Sequence, residues 1–352
     1  MKSLRAFGYL AIFIPPALLA LGRWTNLDWL LPLSFFVALP LLRLVAGSVS
    51  VGAKQDWTEA EKGILAWIPR LYVGALLASM GAVLFAVGNM RPLNSLGDVG
   101  FVLSVLVMCG LASCVAHELG HRPLKSDRRN ANLICAVAGY PFFVFEHLAH
   151  HAQARDTSSA HCPGRNENVW KFVARRAWSA PQQAIALNSR SRAGRREASL
   201  LDDLWSYVGL TAAVWITFTV VGGLFGFLLY LTLIVGVPFL LNTITYIQHW
   251  GLGDDSHDVA SDIAQIGWDE TARIQSWLIL GISFHHQHHN EATRPYYTYG
   301  PTEGAPTLPA EYALLFPVCL VPPLWRLMMN RTIRTWVASR NTGRSKASPS
   351  AT

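Results

Sequence analysis

The chain has 352 residues, of which 51% are hydrophobic and only 14% charged, against the roughly 25% charged of a soluble globular protein. That balance excludes a soluble globular fold and indicates an all-α integral membrane protein. The formal net charge of +7 does not mark a nucleic-acid binder, because the basic residues Arg155, Arg165, Lys171, Arg175, Arg176, Arg190, Arg192, Arg195 and Arg196 form no nucleic-acid module. They lie between apolar segments, as in cytoplasmic loops close to anionic lipid.

A membrane helix needs roughly 20 mainly apolar residues, so candidate spans can be read in order. The start, Met1 to Arg5 followed by an apolar run to Gly22, imitates a signal peptide, but Pro15-Pro16 interrupts it and no small-x-small cleavage site precedes Arg23. Residues 6–22 are therefore expected to be a retained first span. Residues 24–42, with Pro32 and Pro40, make a second, 71–90 a third and 99–116 a fourth. Ala131 to Phe145 is too short to cross and is expected to be an interfacial or buried helix. Tyr207 to Gln248 contains no Asp, Glu, Lys or Arg, long enough for two passes, 206–222 and 225–247, turning near Gly222-Gly223. Ile274 to Phe284 is again short, and Leu308 to Trp325, rich in proline, is expected to lie along the membrane surface. The tail 331–352 is basic and rich in Ser and Ala, and disorder is expected there. The reading is one domain, 1–330, with about six transmembrane helices.

Lys2 and Arg5 place the start in the cytoplasm, and four crossings return the chain there at His117, beside Arg122, Lys125, Arg128 and Arg129. Nine of the twelve histidines then fall on that face, in four groups: His117 and His121; His147, His150 and His151; His249; and His285, His288 and His289. In His117-Glu118-Leu119-Gly120-His121 the two rings lie about 40° apart on one helix face and can reach one metal. The two H-x-x-H-H groups let one ring join its i+3 or i+4 neighbour while another turns to a second ion.

Nine imidazoles are too many for one ion. A zinc site takes four ligands, and a zincin reading of H-E-x-x-H, with Glu118 as base, uses one further ligand and leaves six histidines unexplained. Two redox-capable ions of about four to five ligands each fit better, with iron the economical assignment. A lone histidine such as His249 could be a structural residue, but three clusters packed without a metal would leave many buried nitrogens unsatisfied. His161, His257 and His286 stand outside the pattern: the first two are expected to be structural or surface residues, and His286 at most supports a neighbouring ligand. Glu118, Glu146 and Asp156 are candidates to orient the imidazoles and offset metal charge. On a helix, either glutamate could instead face an arginine. The five cysteines form no C-x-x-C pair, so no rubredoxin-type or iron–sulfur carrier is built in.

Taken in order, these boxes, with Asn242 to Tyr246, Gln248-His249-Trp250-Gly251, Thr293-Arg294 and Pro322 to Trp325, resemble membrane-bound alkane hydroxylases. They are also similar to the hydroxylase component of xylene monooxygenase and, more loosely, to the membrane fatty acid desaturase and hydroxylase superfamily. The resemblance covers about Leu71 to Trp325. It implies a non-haem di-iron centre held by the nine histidines on the cytoplasmic side of the inner membrane, dioxygen as cosubstrate, and hydroxylation of an unactivated C–H bond in an alkane, alkyl-aromatic or fatty-acyl chain. Electrons would come from an external rubredoxin, or a ferredoxin with its reductase, docking on the basic cytoplasmic surface.

Two departures bear on outcome. The second box is one residue shorter than the usual alkane hydroxylase form, and Gln-His-Trp-Gly replaces Glu-His-Tyr-Gly. A fatty acid desaturase or a terminal-alkene-forming decarboxylase using the same centre is the alternative. A non-enzymatic metal-handling transporter, from another class, predicts ionisable groups inside the spans, and those windows are clean.

Overall fold

The computed structural model describes residues 3–52, 56–89, 95–193, 199–253 and 267–347; His257, Arg195 and Arg196 lie outside them. The described residues are helical, joined by turns and a few isolated β-bridges such as Asp269 with Phe284. Among the described residues, four helices are long and apolar enough to cross a membrane: Ala6–Thr25, Glu59–Gly88, Leu96–Gly120 and Leu204–His249. Over the expected second span the apolar helix Leu30–Ala46 is a relay of three short pieces, Leu30–Leu33, Ser34–Ala38 and Leu39–Ala46, the middle one π-helical, where Pro32 and Pro40 remove backbone donors. The third element starts at Glu59, well before residue 71, because Thr58 and Glu61 form a capping box. The same device, Ser95 with Asp98, opens Leu96–Gly120.

Leu204–His249 is 46 residues of nominally continuous helix that folds back on itself at Gly223, whose φ is 55°. The indole of Trp215 donates to the carbonyl of Phe227 at 3.2 Å, and the rings of Phe218 and Tyr230 sit 5.4 Å apart, so the two arms run antiparallel. Left-handed backbone selects glycine at the bend. Close approach selects it again at Gly226, where a Cβ would stand 1.9 Å from the carbonyl oxygen of Phe218. The turn expected near Gly222-Gly223 is where the chain reverses.

Thr211 and Tyr230, one on each arm, both donate to the carbonyl of Ala136, which ties the hairpin to the helix Lys125–Val137. That helix is held on its other side by Arg70, which forks onto Asp127 at 2.7 and 2.8 Å. Tyr312–Cys319 buries Tyr312, Leu315 and Cys319 and packs against the hairpin, with Leu314 exposed. One segment departs from expectation. Residues beyond Asn330, expected to be disordered, continue the helix Pro322–Ala347. Trp325, Met329 and Ile333 recur every four residues and are buried, and Trp336 donates to the carbonyl of Gly304, an apolar stripe that outweighs the polar composition.

Candidate metal centre

Leu96–Gly120 and the hairpin's second arm end side by side, which brings His117 and His121 to His249. The short helices Phe143–Ala152 and His285–Asn290 lie across those ends and supply the other six rings. The nine histidines sort into two compact sets, His117, His121, His147, His151 and His288, and His150, His249, His285 and His289, with the ring nitrogens of each set within 4.8 Å of one another. Both H-x-x-H-H boxes divide the same way. The i,i+4 pair, His147 with His151 or His285 with His289, stays together, and the remaining ring, His150 or His288, crosses to the other set.

The spacing inside each set fits a cation. In the first, Nε2 atoms form a row from His121 to His147 at 3.0 Å, His147 to His151 at 2.9 Å and His151 to His288 at 2.9 Å. In the second, His150 lies 3.2 Å from His249, His249 2.9 Å from His285, and His285 3.0 Å from His289. An Nε2 carries either a proton or a lone pair, never both, so each interior nitrogen would have to serve two neighbours with one group. A shared ion satisfies all of them. With metal–nitrogen bonds of about 2.1 Å, ligands at right angles sit about 3.0 Å apart and tetrahedral ligands about 3.4 Å. The observed separations, 2.9 to 3.2 Å, lie close to those of ligands arranged around one ion.

Burial keeps the rings in the neutral, ligating form. It holds His121 down to about 4 and His151 to about 2, and pushes His147, His150, His285, His288 and His289 well below the ordinary histidine value, with neighbouring imidazoles adding to the effect.

None of the three acidic residues expected to orient the imidazoles touches one. Glu118 pairs with Arg122 at 2.6 Å and accepts from the backbone of Tyr296. Glu146 is buried against Arg176, which also donates to Asn242 Oδ1 at 3.1 Å and to the carbonyl of Ala160 at 3.0 Å. Asp156 accepts from Ser158 and Ser159 in its own turn. Glu118 and Glu146 each brace a helix that carries histidines, and Asp156 its own turn, instead of bonding the rings. His286 bonds Asn290 and His161 is buried beside His150; neither belongs to a set.

Two contributors were not foreseen. The hydroxyl of Tyr299 lies 3.4 Å from His288 Nδ1. Asp269, its carboxyl pushed up to about 7 by burial, accepts from the backbone of His286 and of Thr302 and so fixes the start of the last histidine helix. The acidic pair Asp269-Glu270, ahead of a histidine box, was the available signal.

Below the rings lies an apolar cavity of about 100 Å³. Phe35, Phe36 and Val107 line it at one end, and Cys114, Gln248 and Tyr312 at the other. Cys114 sits one turn before His117, and Gln248 directly precedes His249.

A family model described as fatty acid desaturase matches residues 94–318. Among curated proteins, the chain is 23% identical to alkane 1-monooxygenase 2 of Alcanivorax borkumensis, over 96% of this chain and 93% of the relative. It is 22% identical to alkane 1-monooxygenase 2 of Pseudomonas aeruginosa, over 96% and 94%. With alkane 1-monooxygenase of Pseudomonas putida it shares 26% identity over 68% of this chain and 61% of the relative.

Proposed function

The chain belongs to the fatty acid desaturase family and is an oxidoreductase, and we propose that it is a membrane monooxygenase that hydroxylates an unactivated C–H bond of a hydrophobic alkyl chain. The two histidine sets would hold one iron each, supplying the activation of dioxygen that inserts one oxygen atom into the bond. The observation that carries this reading is the apolar cavity ending at Cys114 and Gln248, one turn and one residue from ligands of different sets.

The chain's own residues position and exclude. Val107 to Cys114 is seven residues of helix, about 10 Å of rise, so an alkyl chain lying along it would present its end one turn from His117. Gln248 donates to the Tyr312 hydroxyl at 3.1 Å, which closes the cavity's polar wall on itself. No lysine or arginine lines it, so a carboxylate would find no counter-charge there. That favours hydrocarbon hydroxylation over decarboxylation of a fatty acid.

The hairpin arms and the Leu30–Ala46 relay fit six crossings. The basic residues Arg122, Lys125, Arg128 and Arg129 beside the histidine end fit a cytoplasmic-facing centre in an inner membrane. A recess bordered by Lys125, Arg128, Phe145 and Leu148, on the outer side of a histidine helix, suits an acidic electron carrier such as rubredoxin or ferredoxin. The test is product identification after membranes are incubated with alkanes, alkylbenzenes and fatty acids, oxygen and an electron donor. Alcohols from the hydrocarbons are expected, and an alkene formed without any alcohol overturns the assignment.

A further inference from the structure

A second and larger cavity, of about 530 Å³, opens between the two arms of the hairpin, the helix Val169–Ala193 and the turn at Gly139–Phe142. Its volume lies in the range of small-molecule sites, and none of the nine histidines lines it. It is walled almost wholly by apolar side chains, among them Trp215, Ile234 and Phe239. From Ile234 to Asn242 it follows eight residues of helix, about 12 Å.

Its unpartnered polar side chains are Asn242, at one end of that helical stretch, and Tyr140. Asn242 is 1% exposed, and its Oδ1 is committed to Arg176 Nε at 3.1 Å, which leaves Nδ2 as the free end of the amide. Nδ2 has no hydrogen-bond partner, and neither has the hydroxyl of Tyr140, a residue 5% exposed that lines the same cavity. Thr211, the remaining polar lining residue, spends its hydroxyl on the carbonyls of Ala136 and Tyr207. A buried donor without an acceptor is costly, and two of them in the lining of a greasy cavity form half of a recognition site. The charge of Arg176 is met by Glu146, and no charged side chain lines the cavity. The group that fits is therefore an uncharged oxygen.

We propose that this cavity binds a single alkyl chain ending in an uncharged hydroxyl or ester oxygen, which accepts from Asn242 Nδ2 and bonds the Tyr140 hydroxyl, with the tail running towards Trp215 and Ile234. Ala177 and Ala212, both exposed, border the cavity and leave it open from the side. A free long-chain alcohol and an acyl ester of a bilayer lipid share this chemistry.

The test uses the full chain in phosphatidylcholine nanodiscs and three photoreactive probes, each with a mid-chain diazirine: a long-chain 1-alkanol, a phosphatidylcholine and a plain alkane. Labelled residues are mapped by mass spectrometry, with iron content and melting temperature measured on every variant. The alkanol, the phosphatidylcholine or both should label Trp215, Pro238 or Phe239. Tyr140→Phe should cut that labelling about fivefold, the worth of one hydrogen bond. Ala212→Trp, which fills the cavity and leaves Asn242 and Tyr140 in place, should abolish it. The alkane's labelling should ignore Tyr140→Phe. Labelling by the alkanol alone identifies a free alcohol, and labelling by phosphatidylcholine a lipid ester. The proposal is overturned if folded, iron-replete protein takes no label there, or if labelling by the oxygen-bearing probes is indifferent to Tyr140→Phe.

Discussion

The buried pair of Glu146 and Arg176 should behave as one unit. Both side chains are almost inaccessible, at 3% and 2% exposure, and the guanidinium has two further acceptors, Asn242 Oδ1 and the carbonyl of Ala160. Arg176→Met strands a carboxylate in a site whose burial already pushes its pKa up, and it orphans two acceptors as well. Glu146→Leu strands the guanidinium. Removing one member of such a pair costs about 3–5 kcal/mol, whereas replacing both by apolar residues of similar size is often near neutral. Each single variant should therefore lose about 3–5 kcal/mol, and the double variant less than either single. At roughly 2 °C per kcal/mol for a chain of this size, the singles should melt about 6–10 °C lower. The assay is a double-mutant cycle by thermal unfolding in detergent, with iron content measured alongside, since Glu146 directly precedes His147. Costs that simply add, to within about 0.5 kcal/mol, would refute the reasoning.

Other outcomes follow from the same geometry. His249→Ala removes a ring from the four-histidine set only, so bound iron measured by mass spectrometry should fall from about two per chain to about one, while His286→Ala leaves it unchanged. In metal-free protein, His121 carries a proton in the unfolded chain below the ordinary 6.5 but not in the folded one until about 4. Its contribution to stability is thus complete above 6.5 and is lost as pH falls through that window, by about 1.4 kcal/mol per pH unit for each such ring. Chemical unfolding of metal-free protein at pH 7 and pH 5 should show the loss, and equal midpoints would contradict it. Gly226→Ala drives a methyl to 1.9 Å from a backbone oxygen, whereas at Gly209 nothing lies within 4 Å. The first substitution should abolish stable expression, and the second should leave it intact or stabilise the helix by up to about 1 kcal/mol.

Where sequence spacing alone carries geometry, the site was legible. Rings three or four apart share a helix face, so each H-x-x-H-H box reads as divided between two ions without saying which pair stays together, and two adjacent glycines in an uncharged stretch mark a reversal. What spacing cannot carry is the choice among partners arriving from elsewhere in the fold. Glu146 meets Arg176 from a helix 30 residues away, and Glu118 turns to Arg122 on its own helix. Tyr299 and Asp269 act through a loop whose path no periodicity encodes. The C-terminal helix was hidden for a different reason: its apolar stripe, Trp325, Met329 and Ile333, is narrow, and the polar residues around it dominate the local composition.

The rows of ring nitrogens also bear on how the molecule is assembled. His151 and His288 meet from 137 positions apart in the sequence, and His150 and His249 from 99. Closing a loop of 137 residues costs roughly 4 kcal/mol of chain entropy, and the imidazoles that meet there offer one another no complete set of hydrogen bonds in return. A cation clasped between them would supply the missing enthalpy. Metal uptake would then be the last fastening of the tertiary structure, joining the early and late portions of the polypeptide only after both have entered the bilayer. A chain starved of metal during synthesis would reach the membrane with its helices placed and its cap unlatched.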